Sequence, residues 1–169
     1  MKRFFSIGQR VCMLLTMLAL FVSFELQYVK NLEPCPLCFM QRVMMFGILS
    51  VALIGILGFT RRRAGFLIAA ELLFTSGGIF FALRQLWLQS LPVVETGMCL
   101  PGIEALMDKL PWQDVVHIFI WGSSTGCGEV DWTFAGLSMP AWSAVYFGVI
   151  GLINVLFLIR LCQHDRISH

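Results

Sequence analysis

The sequence predicts an all-α membrane protein, a bundle of four transmembrane helices. Of its 169 residues, 58% are hydrophobic and only 13% are charged, and the mean hydropathy of +0.81 is too high for a water-soluble domain. A membrane-spanning helix needs about 20 mostly apolar residues. Four runs of this kind predict spans at about residues 11–28, 39–59, 64–88 and 140–159. Because no linker, charge block or repeat divides the chain, we expect a single membrane domain over residues 1–169.

The first span is expected to be retained. Lys2 and Arg3 precede its apolar run, as they would in a secretory signal, but no small-residue cleavage motif follows Phe24. Basic residues predict the orientation, because they concentrate at the amino tail, in the turn at residues 61–63 and at the carboxyl end, and such residues favour the cytoplasm. Both termini are therefore expected inside, and the loops at about residues 29–37 and 89–139 outside.

The long outer loop contains an apolar stretch, residues 115–121, that is too short to span a membrane. With Trp112, Phe119 and Trp121 it predicts a short amphipathic helix in the outer interface, where aromatic rings are favoured.

Four of the six cysteines fall on the outer side. Cys35 and Cys38 form a Cys-x-x-Cys pair before the second span, and Cys99 and Cys127 lie in the long outer loop. Thiols outside a bacterial-type membrane can persist as disulfides, whereas the cytoplasm keeps most thiols reduced. Two coupled disulfides are the leading interpretation, although a single stapling disulfide in the loop remains open. The other two cysteines are interpreted as small apolar filler: Cys12 and Cys162.

The Cys-x-x-Cys pair stands where a helix begins, and the unpaired N–H groups of a helix amino end stabilise a thiolate. Cys38 immediately precedes the second span, and Arg42 would lie one turn along the same face. There Arg42 could donate to an acceptor bound against the sulfur, or it could instead reach the lipid headgroups. A structural disulfide remains an alternative for the pair. Half a zinc site is poorly supported, since His117 is the only outer histidine and no second Cys-x-x-Cys exists.

The residues and their order resemble the disulfide bond formation protein B (DsbB) family of quinone-linked membrane thiol oxidases. The resemblance covers essentially the whole chain: four spans with both ends inside, Cys35-Pro-Leu-Cys38 followed by Arg42, two cysteines in the second outer loop, and the stretch WTFAGLSMPAW at residues 132–142. A lone Cys-x-x-Cys would be weak evidence, but this order of motifs is specific. The resemblance implies a multi-pass protein of the bacterial inner membrane with its cysteine loops in the periplasm.

The resemblance also implies a protein-dithiol:quinone oxidoreductase. A periplasmic thioredoxin-like dithiol oxidase of the DsbA type would attack Cys99 of a Cys99–Cys127 disulfide, forming a transient mixed disulfide. The electrons would pass to Cys35 and Cys38, and from Cys38 to a bound quinone, ubiquinone or menaquinone, with Arg42 hydrogen bonding a quinone oxygen. A DsbA, DsbB and quinone system of this kind keeps the bacterial periplasm oxidising.

The sequence leaves the roles of several polar and aromatic residues open. Trp132 and Trp142 could line the quinone site, although aromatic residues at the bilayer rim need no such role. Some family members carry a histidine on the third helix near the quinone, whereas residues 81–89 here offer only Arg84 and Gln85 as obvious polar candidates. Two acidic residues in the spans are interpreted first as contacts between helices: Glu25 and Glu71.

Other functions remain open from the sequence. An enzyme like vitamin K epoxide reductase also pairs cysteines with quinone, but that family carries its Cys-x-x-Cys in a late helix. A membrane scaffold with a stapled loop and a small transporter using Glu25, Glu71 and Arg84 are further alternatives. Beyond membrane lipid, no nucleotide or nucleic acid partner is indicated, since the chain has no glycine-rich phosphate loop and no soluble basic patch.

Overall fold

The computed structural model describes residues 2–30, 35–57, 61–90, 111–121 and 132–167, and all structural statements below refer to them. Five helices follow one another: α1 (Lys2–Lys30), α2 (Pro36–Leu57), α3 (Arg61–Ser90), α4 (Trp112–Trp121) and α5 (Met139–Ile167). A short antiparallel hairpin, β1 (Thr133–Phe134) with β2 (Leu137–Ser138), precedes α5. The helices α1, α2, α3 and α5 are each long and apolar enough to cross a membrane. The predicted four-helix membrane fold is confirmed.

The outward faces of the long helices are apolar, as a lipid environment requires. Phe21 of α1, Leu73 of α3 and Leu152 of α5 are all more than 60% exposed in the isolated chain. Large exposed apolar surfaces of this extent are rare on soluble proteins. Helices also satisfy their backbone hydrogen bonds internally, which makes them one of the few structures able to cross the hydrocarbon core.

The helix α3 packs closely against both α2 and α5, whereas α1 packs mainly on α2 and meets α5 only sparsely. Glycines allow the close approach of neighbouring helices, which is the usual packing device in membranes. Gly47 of α2 faces the ring of Phe74, and Gly78 of α3 faces the ring of Phe147 so closely that an added Cβ would lie 2.2 Å from a ring carbon. The sparse contact between α1 and α5 leaves room for a cavity between them.

The central core joins α1, α2 and α5 through the following buried side chains: Cys12, Leu20, Met45, Ile48, Phe147 and Ile150. Cys12 is buried within this apolar cluster and belongs to the packing of the bundle rather than to its surface. The side chain of Cys162 lies outside the described part of the chain.

Glu71 of α3 is completely buried, and its carboxylate faces the amide groups of Gln9 on α1 and Asn154 on α5. No described group meets full hydrogen-bond geometry at its two oxygens, so this is a loose polar contact. It connects three helices, in keeping with the interpretation of Glu71 as a contact between helices. Glu25 differs, because it lies on the exposed face of α1 rather than between helices.

Candidate dithiol site

The local sequence Cys35-Pro-Leu-Cys38 starts α2 in a way that brings its two thiols together. The carbonyl of Cys35 accepts a hydrogen bond from the amide of Phe39, 3.0 Å away, and its Sγ accepts the amide N–H of Cys38 at 3.5 Å. Cys35 therefore caps the helix. Pro36 suits the first helical position, where no N–H is needed. The two sulfurs are half-buried and lie 3.3 Å apart, within contact but not bonded to each other.

Two buried glutamines stand behind the dithiol. Gln41 of α2 donates from Nε2 to Oε1 of Gln85 on α3 at 2.8 Å, and both side chains are almost fully buried. Nε2 of Gln85 lies 3.1 Å from Sγ of Cys38 and 3.4 Å from Sγ of Cys35. The sequence indicated Gln85 as a polar candidate and left its role open. Gln41 was missed, although a glutamine three residues after Cys38 in an apolar run was the available signal.

Arg42 is buried and directed toward α1. Its Nε donates to Oγ of Ser23 at 2.8 Å, its Nη2 donates to the carbonyl of Ser23 at 3.0 Å, and its Nη1 donates to Oε1 of Gln27. The guanidinium lies 5.0 Å from the centre of the Phe24 ring, a cation–π distance. These contacts compensate for burying a charge inside a membrane protein. They hold the guanidinium against α1, within the bundle.

A cavity of about 450 Å³ opens between α1 and α5 beside the dithiol. Its wall on α2 is formed by Cys38, Gln41, Arg42 and Met45, and most of the remaining wall is apolar. Among the described lining residues Arg42 is the only charged one. At the α1–α5 contact, Tyr146 and Thr16 share a hydrogen bond of 2.7 Å. Because Thr16 donates its proton to the carbonyl of Cys12, the Tyr146 hydroxyl is the donor.

Three aromatic side chains from the hairpin and its two flanks line the cavity: Phe134 lies in β1, Trp132 directly precedes it, and Trp142 lies in the first turn of α5. Trp132 and Phe134 stack with ring centres 5.9 Å apart, and Nε1 of Trp142 donates to the carbonyl of Phe134 at 3.1 Å. Ala135 and Gly136 have φ of +53° and +78°, and positive φ at both turn residues is the conformation that two-residue hairpins favour.

The structure thus places Cys35, Cys38 and Arg42 at one end of the bundle, with Trp132 and Trp142 lining the same cavity. Their functional roles stay predictions. Cys99 and Cys127 lie outside the described residues. Arg84 stands apart, with its guanidinium 4.2 Å from the centre of the Trp87 ring.

The helix α4 covers the stretch predicted to be amphipathic, and it contacts α2. Its placement in the outer interface remains a prediction. In the described ranges no group of three His, Cys, Asp or Glu side chains is arranged to hold a metal ion.

Four membrane-crossing helices with a thiol pair at the edge of an apolar cavity define a multi-pass membrane protein with a candidate redox dithiol. The profile of the family described as "Disulfide bond formation protein DsbB" matches residues 6–157. The chain belongs to this family, and the resemblance seen in the sequence is confirmed.

Curated relatives support the same assignment. A "Disulfide bond formation protein B" of Marinobacter nauticus is 37% identical over 143 residues, which cover 82% of this chain and 83% of the relative. Proteins of the same name from Hahella chejuensis and Stutzerimonas stutzeri are 41% and 35% identical, over 74% and 82% of this chain and 76% and 85% of their own lengths.

Proposed function

We propose that this chain is a protein-dithiol:quinone oxidoreductase of the bacterial inner membrane. It oxidises a periplasmic thioredoxin-like dithiol oxidase of the DsbA type and delivers the electrons to ubiquinone or menaquinone, and so sustains disulfide bond formation. Membership of the disulfide bond formation family and four membrane helices support this proposal. The charge distribution favours cytoplasmic termini. The cysteine loops then face the periplasm, where disulfides persist.

The observation that carries the proposal is the shared position of Cys38 and Arg42 in the wall of an otherwise mainly apolar cavity. Its volume of about 450 Å³ is in the range of small-molecule sites. The chemistry of the wall fits a quinone, since apolar side chains suit the ring and tail and Arg42 can donate to a carbonyl oxygen. Cys38, Arg42 and, across the cavity, Trp132 and Trp142 would hold it. A bound quinone supplies a lipid-soluble acceptor for two electrons and two protons.

The protein's own part is thiol exchange and the positioning of charge. A thiolate of the partner attacks Cys99 and releases Cys127, and the partner's second thiol resolves the mixed disulfide. Cys127 bridges transiently to Cys35 as the reducing equivalents move to the Cys35–Cys38 pair. The pair then closes its own disulfide, releasing two electrons and two protons to the acceptor. Sulfurs 3.3 Å apart need only a small approach to reach the disulfide length of about 2.05 Å.

The proposed function is tested with the purified full-length chain, a reduced thioredoxin-like dithiol oxidase and a soluble quinone. Quinone reduction coupled to partner oxidation is the expected result. A scaffold with stapling disulfides would reduce no quinone. A transporter would retain transport after all four outer cysteines are replaced.

The order of thiol exchange makes a separate prediction. We expect Cys127→Ser, incubated with the oxidised partner, to accumulate a disulfide-linked complex. The Cys99 thiolate attacks the partner's disulfide and releases one partner thiol, and position 127 lacks the thiol that would attack Cys99 and displace the partner again. Thiol-blocked, non-reducing gels followed by peptide mapping measure this complex. The matched control is Cys99→Ser, which should form no such complex. A partner trapped on Cys35 in the Cys127→Ser variant would overturn the proposed order.

A further inference from the structure

Gln85 presents a fixed amide to both sulfurs of the dithiol. Gln41 can donate only through Nε2, and that atom lies 2.8 Å from Oε1 of Gln85. In this arrangement the Gln85 amide presents its oxygen to Gln41 and its nitrogen to the cysteines. Nε2 carries two hydrogens, and it lies 3.1 Å and 3.4 Å from the sulfurs of Cys38 and Cys35.

We propose that Gln85 is a catalytic residue that stabilises the reduced, ionised form of the Cys35–Cys38 pair through N–H···S hydrogen bonds, with Gln41 as its positioning residue. Its part in turnover rests on the proposed function. The hydrogen bonds, and their stabilisation of the reduced Cys35–Cys38 pair, do not depend on the proposed function.

Electrostatics favour the thiolate as the preferred acceptor. Hydrogen bonds with an ionised partner are roughly twice as strong as neutral ones, and a buried site of low dielectric increases the difference. Gln85 and Gln41 are 4% and 3% exposed, so little water competes at the amides. The hydrogen bonds of Arg42 in the described structure run to Ser23 and Gln27 of α1. Gln85 of α3 therefore complements Arg42, because it contacts the sulfurs directly.

The same amide also serves the protonated thiol. Sγ of Cys38 lies 3.4 Å from Oε1 of Gln85, so a neutral S–H can donate to that oxygen. Loss of the proton exchanges this contact for the N–H···S bond without moving the glutamine. Both ionisation states of Cys38 thus find a partner in one rigid group.

The redox consequence follows from the change of charge. When the pair closes, an S–S bond forms, two electrons leave for the acceptor and both thiol protons are released. The disulfide sulfurs are neutral and accept hydrogen bonds weakly, so Gln85 stabilises the dithiol more than the disulfide. Stabilising the reduced form makes a disulfide a stronger oxidant. Gln85 therefore favours electron transfer into Cys35 and Cys38 from the loop pair.

The test uses the full chain with Cys99 and Cys127 replaced by serine, so that only the Cys35–Cys38 pair exchanges with a dithiothreitol redox buffer. Gln85→Met keeps the length of the side chain and removes the donor. We expect the equilibrium constant to move about tenfold toward the disulfide, the scale of one hydrogen bond to a charged group, which equals about 30 mV for a two-electron couple. The thiolate ultraviolet absorbance at fixed pH should fall in parallel.

Two further variants separate this role from a structural one. Gln85→Glu keeps the acceptor for Gln41 but replaces the donor with a carboxylate, so it should shift the equilibrium in the same direction at least as far. Gln89→Met, the same substitution one turn along α3, should leave it unchanged. A Gln85→Met or Gln85→Glu protein with the parent equilibrium constant would overturn the proposal, as would an equal shift in Gln89→Met. Neither quinone nor partner is present, so failure of the proposed function would not affect this result.

Discussion

Replacing Cys38 with serine is expected to abolish quinone reduction by the reduced partner, with a fall in turnover of about a thousandfold or more, as for loss of an enzymatic nucleophile. Serine cannot form a disulfide, and its hydroxyl does not ionise near neutral pH. Among the described residues of the cavity wall Cys38 is the only cysteine, so none of them can replace it. The assay is the change in quinone absorbance with purified full-length protein, reduced dithiol oxidase and soluble quinone.

The helix start makes this variant easy to interpret. Cys35 caps α2, and the Cys38 group that takes part in the cap is its backbone amide. Serine at position 38 preserves that amide, so a folded variant is expected. Cys12→Ala is the matched control, because Cys12 is buried in the core away from the dithiol. Its turnover should stay near that of the wild type. Wild-type turnover by Cys38→Ser would remove the central step of the mechanism.

The second large effect is expected for Arg42→Ala, which should raise the quinone concentration for half-maximal rate by about tenfold to a hundredfold. A hydrogen bond from a charged group contributes about 1.5–3 kcal/mol, and Arg42 is the only charged side chain among the described residues of the cavity wall. Binding of the partner should change little, because the partner is proposed to react at Cys99 in the outer loop. Steady-state kinetics with quinone varied at fixed partner concentration, and then the reverse, separate the two effects.

Arg42 also connects α2 to α1 through Ser23 and Gln27, so its loss could loosen the bundle. Arg42→Lys addresses this point, since it keeps the charge and loses the planar fork. It should give an intermediate quinone dependence. Arg84→Ala removes an arginine that stacks on Trp87 instead, and its quinone dependence should match the wild type. An unchanged quinone dependence in Arg42→Ala would contradict the proposed contact.

The number and type of the membrane helices could be predicted because a helix needs about 20 mostly apolar residues to cross the bilayer, and hydropathy detects a run of that length. The helix ends follow other rules. The second run was predicted from residue 39, whereas α2 begins at Pro36, because Cys35 and Pro36 form a helix start that hydropathy does not register. The helix α3 likewise begins at Arg61, within the basic turn that limits the apolar run.

The site was only partly predictable. Spacing along one helix placed Arg42 near Cys38, and both line the cavity. The direction of the Arg42 side chain depends on its hydrogen bonds to Ser23 and Gln27 of α1. A contact between two helices leaves no spacing pattern in the sequence, so this direction could not be predicted. The hydrogen bond between Gln41 and Gln85 could not be predicted for the same reason, because the two residues come from different helices.

The hairpin over the cavity was not predicted either. The sequence feature that could have indicated it is the Ala135-Gly136 dipeptide, which forms the turn of the hairpin between Trp132 and Trp142. An Ala-Gly turn is weaker evidence for a hairpin than Asn-Gly.

The central claim is that the ionised sulfur of Cys38 lies against a quinone in the cavity between α1 and α5. Visible absorbance measured as quinone is added to purified Cys35→Ser protein, which leaves Cys38 without its disulfide partner, tests this contact directly. We predict a charge-transfer band that grows with quinone to saturation and disappears in a Cys35→Ser, Cys38→Ser double variant. A folded protein that binds quinone without such a band, or a band that persists in the double variant, would contradict it.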